Sequence, residues 1–456
     1  MPEGEFDKRV YNVLMLGGGF FCVFFSFQTM SNILITLINS IKHETPDYIG
    51  DAFYSLAIVY FVLAFFNLLV PPIISVLGTR ISMVIGSIGY ALYMISFFIT
   101  NGWAIYVASV ILGIGAATIW TAQGTYLTLN SDAYTIARNA ALFWVFFQSS
   151  TFCGNVFVYF TFLQQDFIPA DTRVYIYSVL SGVCLLGVFI LMLLRPPLNM
   201  RGQQISDTSN APSKAFISSL AIIGTKDMLL LFISFWFTGT HLAFAASIYS
   251  ACIGFTTKLT RYPKSLIGLS GIVFAVGEII AGVCFGVAAD ITTFQFGRNP
   301  IVILGAVVLL VGYVLIYLNL PTDAQFHDTT AISYFDPPIA WLAVLCSFLL
   351  GFGDSCFNTQ IYSIVATRYR ENSPPAFALF KLVQSLGSAV AFLYFRHIAL
   401  HYLLIILSVM DILAAVTFFP VEVEARTPHF EPEELDIQIP AGPSVNRIMA
   451  TAPKTE

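Results

Sequence analysis

Charge is scarce in this chain of 456 residues. Asp, Glu, Lys and Arg together make up 10%, where a soluble domain carries about a quarter. Hydrophobic residues make up 57% and the mean hydropathy is +0.79. No single core could hide that much apolar surface, which excludes a soluble enzyme, a nucleic-acid binder and a secreted scaffold. The net charge of −5 supplies no basic field to gather nucleic acid. Cysteine pairing is also missing: the seven cysteines form no Cys-x-x-Cys pair and sit in or at the edge of apolar runs. They read as small packing residues rather than a disulfide framework or a zinc site. No Asn-x-Ser/Thr sequon, His-Glu-x-x-His or Gly-x-Ser-x-Gly occurs, and Gly17-Gly18-Gly19 lacks the Lys-Ser and strand context of a phosphate loop. No enzyme activity, metal or cofactor is expected. A cleaved signal peptide is not expected either, because the first apolar run, about Val10 to Ile41, is far longer than a signal core.

What the chain has instead is apolar runs of membrane length. A bilayer core takes about 20 apolar residues as helix, and twelve such runs are predicted. Their soft bounds are 10–41, 52–77, 80–100, 102–130, 137–163, 172–195, 226–253, 264–289, 299–320, 337–366, 372–396 and 399–420. Joints as short as Gly78-Thr79-Arg80 force antiparallel neighbours. The fold class predicted is all-α and polytopic, in two pseudo-symmetric six-helix bundles. Residues 1–195 form the first bundle, 196–225 a polar linker, 226–420 the second bundle, and 421–456 a disordered acidic tail. Fourteen Lys and Arg fall on the side of the termini and six on the other, with Lys381 inside a span. Both termini are therefore expected in the cytosol. Lys258, Arg261 and Lys264 form a local exception on the opposite side.

An internal repeat supports two halves. Gly113-Ile114-Gly115 with Thr121 returns as Gly351-Phe352-Gly353 with Thr359, and Ala141-Leu142-Phe143 with Gln148-Ser149 returns as Ala378-Leu379-Phe380 with Gln384-Ser385. Parallel repeats of six spans are the major facilitator architecture. Major facilitators carry Gly-x-x-x-Asp and then Gly-Arg in the cytosolic joints of both halves. Here the second joint reads Gly286 to Asp290 and then Gly297-Arg298, while the first keeps only Gly78-Thr79-Arg80. Asp290, Arg298, Arg80 and Arg138 are the candidates for a cytosolic gate.

From span four the words become specific: Trp120-Thr121-Ala122-Gln123-Gly124, Leu127 to Asp132, Arg138-Asn139, Phe143-Trp144, Gln148-Ser149-Ser150 and Gly154-Asn155. Span one adds Phe25 to Thr29 and Asn32; span two adds Ile58-Val59-Tyr60, Asn67-Leu68-Leu69 and Pro71. The chain resembles the ion channel regulatory ("uncoordinated"-type) family, a divergent branch of the major facilitators. The strong motifs cover roughly residues 20–160. That family includes regulators of potassium channels and escorts for membrane receptors, so the resemblance implies fold more firmly than activity.

Ionisable groups inside hydrocarbon need a partner or a task. Glu278, Asp354, Lys381 and Asp411 lie well within spans, with His241 a fifth. One reading is a relay in which Lys381 pairs with Asp354 or Glu278 until a solute or proton breaks the pair; the other is a permanent ion pair that fixes packing. For Asp411 the packing reading is preferred. The N-terminal half offers amides: Gln28, Asn32, Asn67, Gln123, Asn130, Gln148 and Asn155. They could line a cavity for a neutral or zwitterionic solute, or bond one helix to another. The candidates for a substrate cavity or ion coupling are Glu278, Asp354, Lys381, His241, Gln28, Gln123, Gln360 and Gln384. The expected partners are the lipid bilayer with a small solute or proton, or a membrane channel or receptor.

Overall fold

A computed structural model of the chain describes residues 8–99, 101–131, 136–165, 167–198, 203–204, 222–287, 297–369 and 373–426. In lipid each backbone N–H and C=O must be satisfied internally, and helices do this within one segment. The first half consists of α1 (Lys8–Glu44), α2 (Ala52–Phe66), α3 (Val70–Leu77), α4 (Thr79–Ser96), α5 (Gly102–Leu129), α6 (Ile136–Thr161) and α7 (Ala170–Met192). The second consists of α8 (Lys226–Ala243), a π turn (Phe244–Ile248), α9 (Tyr249–Phe255), α10 (Ser265–Val287), α11 (Asn299–Asn319), α12 (Ala340–Arg368), α13 (Ser373–Phe395) and α14 (Leu400–Arg426). Side-chain caps start several of them. Asp51 accepts from the N–H groups of Phe53 and Tyr54, and Asn101 from that of Trp103.

Each expected span coincides with a helix or a helix pair. Among the described residues nine helices are long and apolar enough to cross a membrane, and a bent pair makes ten. Three expectations change. The span at 52–77 is two helices, α2 and α3, meeting at 69°. Pro71 and Pro72 lack the N–H groups that a continuous helix would need there and disfavour helical geometry in the residue before them. The span at 226–253 contains a π turn, which lies against α1. The last helix does not stop at 420 but runs through Pro420 to Arg426, because Glu422 and Glu424 have partners on neighbouring helices. Most of the linker and residues 427–456 of the tail lie outside the described residues.

Packing repeats with the sequence. In the first half α1 packs on α6 and α7, α5 on α2 and α4, and α4 on α7. In the second half α8 packs on α13 and α14, α12 on α10 and α11, and α11 on α14. Every contact of one set has its counterpart in the other. The repeated glycines explain part of this. A Cβ on Gly113 would stand 2.7 Å from Val59 O of α2, and one on Gly351 would collide with Phe274 O of α10. A Cβ on Gly115 would stand 2.5 Å from Gly86 O of α4, and one on Gly353 would stand 3.2 Å from Gly305 O of α11. Each Gly-x-Gly thus admits two neighbouring backbones, one per glycine.

The halves meet through α2 on α13, α6 on α10, and α1 on the π turn and α9. We call the end that holds the first described residue the terminal end and the opposite one the far end. On the far side, Ser247 Oγ donates to Ser31 O at 3.2 Å, and Asn39 Nδ2 donates to Phe326 O at 3.0 Å. Asp51 pairs with Arg396 at 3.2 Å and with Lys42 at 3.4 Å. At the terminal end Asn12 Nδ2 bonds Asn130 Oδ1 at 2.8 Å and Pro196 O at 3.3 Å, holding the start of the linker on the first half.

Candidate functional site

The helices bring a set of polar side chains to one depth. Asp354 and Gln384 stand at the midpoints of α12 and α13, and His241, Gln28, Gln148 and Glu278 lie within a few residues of the midpoints of their own spans. Helix alternation alone does this: each span starts from the same two membrane surfaces, so central residues share the midplane.

In the second half these groups form a chain. Lys381 Nζ donates to Gln384 Oε1 at 2.9 Å, and Gln384 Nε2 donates to Asn358 Oδ1 and to Thr238 Oγ1, both at 3.2 Å. Asn358 Nδ2 donates to Asp354 Oδ2 at 2.9 Å. The other oxygen, Oδ1, lies 3.9 Å from His241 Nε2 and has no hydrogen-bond partner, although Asp354 is buried. His241 is 1% exposed. Its Nε2 lies 3.2 Å from Leu350 O, an acceptor only, so Nε2 carries the hydrogen. Nδ1 then accepts from Tyr313 Oη at 2.7 Å.

The expected pairing of Lys381 with Asp354 or Glu278 is not what the fold makes. No carboxylate stands within 4.0 Å of Lys381 Nζ among the described residues. The half-buried ammonium faces Gln384 and the rings of Phe380 and Tyr362, at 4.8 and 5.3 Å. Glu278 instead accepts from Gln148 Nε2 at 3.3 Å, an acid of the second half bonded to an amide of the first. Gln360 is buried and turned to Thr359 Oγ1 at 3.2 Å. Asp411 is fully buried, and neither of its carboxyl oxygens has a hydrogen-bond partner.

Amides of the first half bond one another or neighbouring hydroxyls, except Gln148, which reaches Glu278. Asn32 Nδ2 donates to Asn155 Oδ1 at 2.6 Å, Thr151 Oγ1 donates to Gln28 Oε1, and Thr121 Oγ1 donates to Asn67 Oδ1 at 3.3 Å. Gln123 is buried on α5. Asn130 leaves this wall altogether and secures the linker.

Of the four residues expected at a cytosolic gate, Arg298 and Arg80 are described with their side chains. Arg298 has a carboxylate partner, but it is Glu422: Nη1 lies 2.7 Å from Glu422 Oε2, while Nε and Nη2 bond Ser363 Oγ and Thr367 Oγ1 at 2.8 and 2.9 Å. This clamp joins the start of α11 to α12 and α14 within the second half. Asp290 and the side chain of Arg138 lie outside the described residues. Arg80 opens α4 half-buried, with Nε lacking a hydrogen bond.

Two of the three cations in the local exception of the charge pattern have acidic partners. Lys258 meets Asp336 at 3.3 Å, and Lys264 meets Asp328. Burial pushes the Lys264 ammonium below its usual value, against the hydrogen bond and charge of Asp328.

Tyr313 and Asn358 were missed by sequence reasoning. Asn358 had a signal, being four residues after Asp354 and so on the same helical face. Tyr313 had none, because a tyrosine in an apolar run does not announce its partner.

Comparison with known proteins identifies the family and the fold. The family described as ion channel regulatory protein UNC-93 matches residues 46–419. The chain is 39% identical to the UNC93-like protein MFSD11 of Xenopus laevis, over 91% of this chain and 96% of that one. Among solved structures it is similar to the nucleoside transporter NupG, with a TM-score of 0.64, 14% identity, and 90% and 99% of the two chains covered. It is also similar to a POT family transporter in complex with 5-aminolevulinic acid, with a TM-score of 0.67, 11% identity, and 91% and 97% covered.

Proposed function

The chain belongs to the ion channel regulatory protein UNC-93 family and has a transporter-like fold, and we propose that it moves a small solute across the membrane by alternating access. The observation that carries this reading is the polar chain from Lys381 to Tyr313, which leaves Asp354 Oδ1 open at mid-depth beside the contact between halves at Gln148 and Glu278. Transporters of this fold bind solute near the midplane where their repeats meet. A buried carboxylate oxygen without a donor costs free energy that a permanent packing device would avoid. Lys381, held by an amide rather than an acid, is free to meet an anionic group of a solute. A solute with both an acidic and a basic or hydroxyl group fits the pair Lys381 and Asp354, and a proton fits the open oxygen. The expected role is not enzymatic.

All twelve helical units cross the bilayer in this proposal, with both termini in the cytosol. The inter-half contacts of the far end, Asp51 with Arg396 and Asn39 with Phe326, then close the non-cytosolic side. Epitopes near Met1 and in 196–225 should be reached only from the cytosol, and one in 323–336 only from the other face.

The decisive experiment is reconstitution of the purified chain in liposomes, with uptake screened over amino acids, peptides and nucleosides. Uptake that is lost in Asp354→Asn and Lys381→Gln, with folding retained, is expected. Absence of uptake for every solute, together with co-purification of one membrane channel or receptor, would overturn the reading. It would favour a non-transporting accessory role, which the family description supports.

A further inference from the structure

A groove of about 390 Å³ opens on the seam where α2 meets α13. Tyr54, Ile58, Phe61, Tyr106, Val390 and Leu393 line it, and its wall is almost wholly apolar. It faces the hydrocarbon, as the 51% exposure of Phe61 and 46% of Leu393 indicate.

The rim at the far end is charged. Arg396, one residue beyond α13, holds its guanidinium 5.6 Å from the ring of Tyr54. It is 37% exposed, and its Nε lies 3.2 Å from Asp51 Oδ2 without forming a hydrogen bond. The same Asp51 oxygen pairs with Lys42, at 3.4 Å, and Oδ1 is occupied by the N–H groups of Phe53 and Tyr54. One carboxylate therefore answers two cations. The remaining positive charge, its guanidinium holding no hydrogen bond among the described residues, stands at the mouth of an apolar slot at the membrane surface. A planar fork of N–H groups matches the oxygens of a phosphate, and the slot beneath has the polarity of an acyl chain.

We propose that the α2–α13 groove binds one phospholipid of net negative headgroup, its phosphate on Arg396 and an acyl chain along Ile58, Phe61 and Leu393. This site lies outside the midplane chain and is independent of the transport reading. The lipid phosphate and Asp51 share Arg396, and Arg396 is the charge that bridges the halves at the far end. Binding of the lipid is thereby linked to the contact that holds that end shut.

The test is native mass spectrometry of the purified full-length chain. It is titrated with phosphatidylglycerol, with phosphatidylcholine of the same acyl chains, and separately with inorganic phosphate. One phosphatidylglycerol should be retained about tenfold more tightly than phosphatidylcholine, because both present a phosphate but the choline cation of the second offsets its attraction to Arg396. Arg396→Gln should bring the two lipids to parity. Leu393→Trp, which fills the slot, should weaken both. Asp51→Asn keeps an oxygen that can cap α2 while removing the competing charge, and should tighten phosphatidylglycerol. Equal retention of the two lipids by the unmodified chain, or a preference unchanged in Arg396→Gln, would overturn the proposal. So would indifference to Leu393→Trp, or displacement of the lipid by inorganic phosphate.

Discussion

The two halves share a scaffold and differ in chemistry. At the midplane the first half pairs amide with amide and amide with hydroxyl, as in Asn32 with Asn155 and Gln28 with Thr151. The one acid these amides meet, among the described residues, is Glu278 of the second half, bonded by Gln148. The second half places Asp354, His241 and Lys381 at the same depth and leaves a carboxylate oxygen open. The terminal ends follow the same rule: Asn12 and Asn130 hold one, Arg298 and Glu422 the other. Duplicated packing needs only small residues where backbones approach, so the Gly-x-Gly words persist in both halves. The polar side chains are not needed for that packing and have diverged.

The comparison breaks most sharply at the terminal ends. Glu422→Ala would strand the buried Arg298 guanidinium and should cost about 3–5 kcal/mol. Asn130→Ala in the first half should cost about 1 kcal/mol. Thermal unfolding of the two variants in one detergent measures the ratio, and equal costs would contradict the contrast drawn here. The shared scaffold is tested next. Gly351→Ala and Gly113→Ala should both destabilise, by about 1–3 kcal/mol, with Gly351 the worse because its new Cβ meets Phe274 O more closely than that of Gly113 meets Val59 O.

At the midplane the contrast should reverse between stability and function. Asn155→Ala, which breaks the bond from α1, should cost about 1 kcal/mol and leave solute uptake measurable. Asp354→Asn should leave the melting temperature nearly unchanged and abolish uptake. The smallest effect is expected at Glu44. A hydrogen bond from Arg173 holds its carboxyl below the ordinary 4.5. A depressed carboxyl stabilises the fold above that ordinary value and loses its contribution as pH falls through the lower folded one. Hydrogen exchange around residues 165–175 should therefore quicken on acidification below about pH 4.5, and Glu44→Gln should flatten that response.

Much of the fold was legible because the signals were local. Apolar run length marks each helix, but the bend at Pro71-Pro72 was missed because the apolar run 52–77 is continuous. The end of the last helix was misread at Pro420, since a proline discourages a helix only until its next turn finds partners, here Arg298 for Glu422 and Arg368 for Glu424. Lys381 and Asp354 looked like a pair because both are charged and both lie in spans. The fold keeps them apart because an amide, Gln384, stands nearer to the ammonium than any acid among the described residues, and one oxygen of Asp354 is left without a donor.

By itself the sequence determined that the chain lives in lipid, as two repeated sets of helices with ionisable groups at mid-depth in the second. Run length, composition and repeated words are properties of neighbours along the chain, and hydrocarbon forces such runs into helices whatever surrounds them. Only the tertiary structure decided which acid meets which base. It set Arg298 on Glu422, Glu278 on Gln148, and Arg396 on Asp51. Those choices depend on the rotation and approach of helices more than a hundred residues apart, and a few ångströms separate a paired charge from an open one.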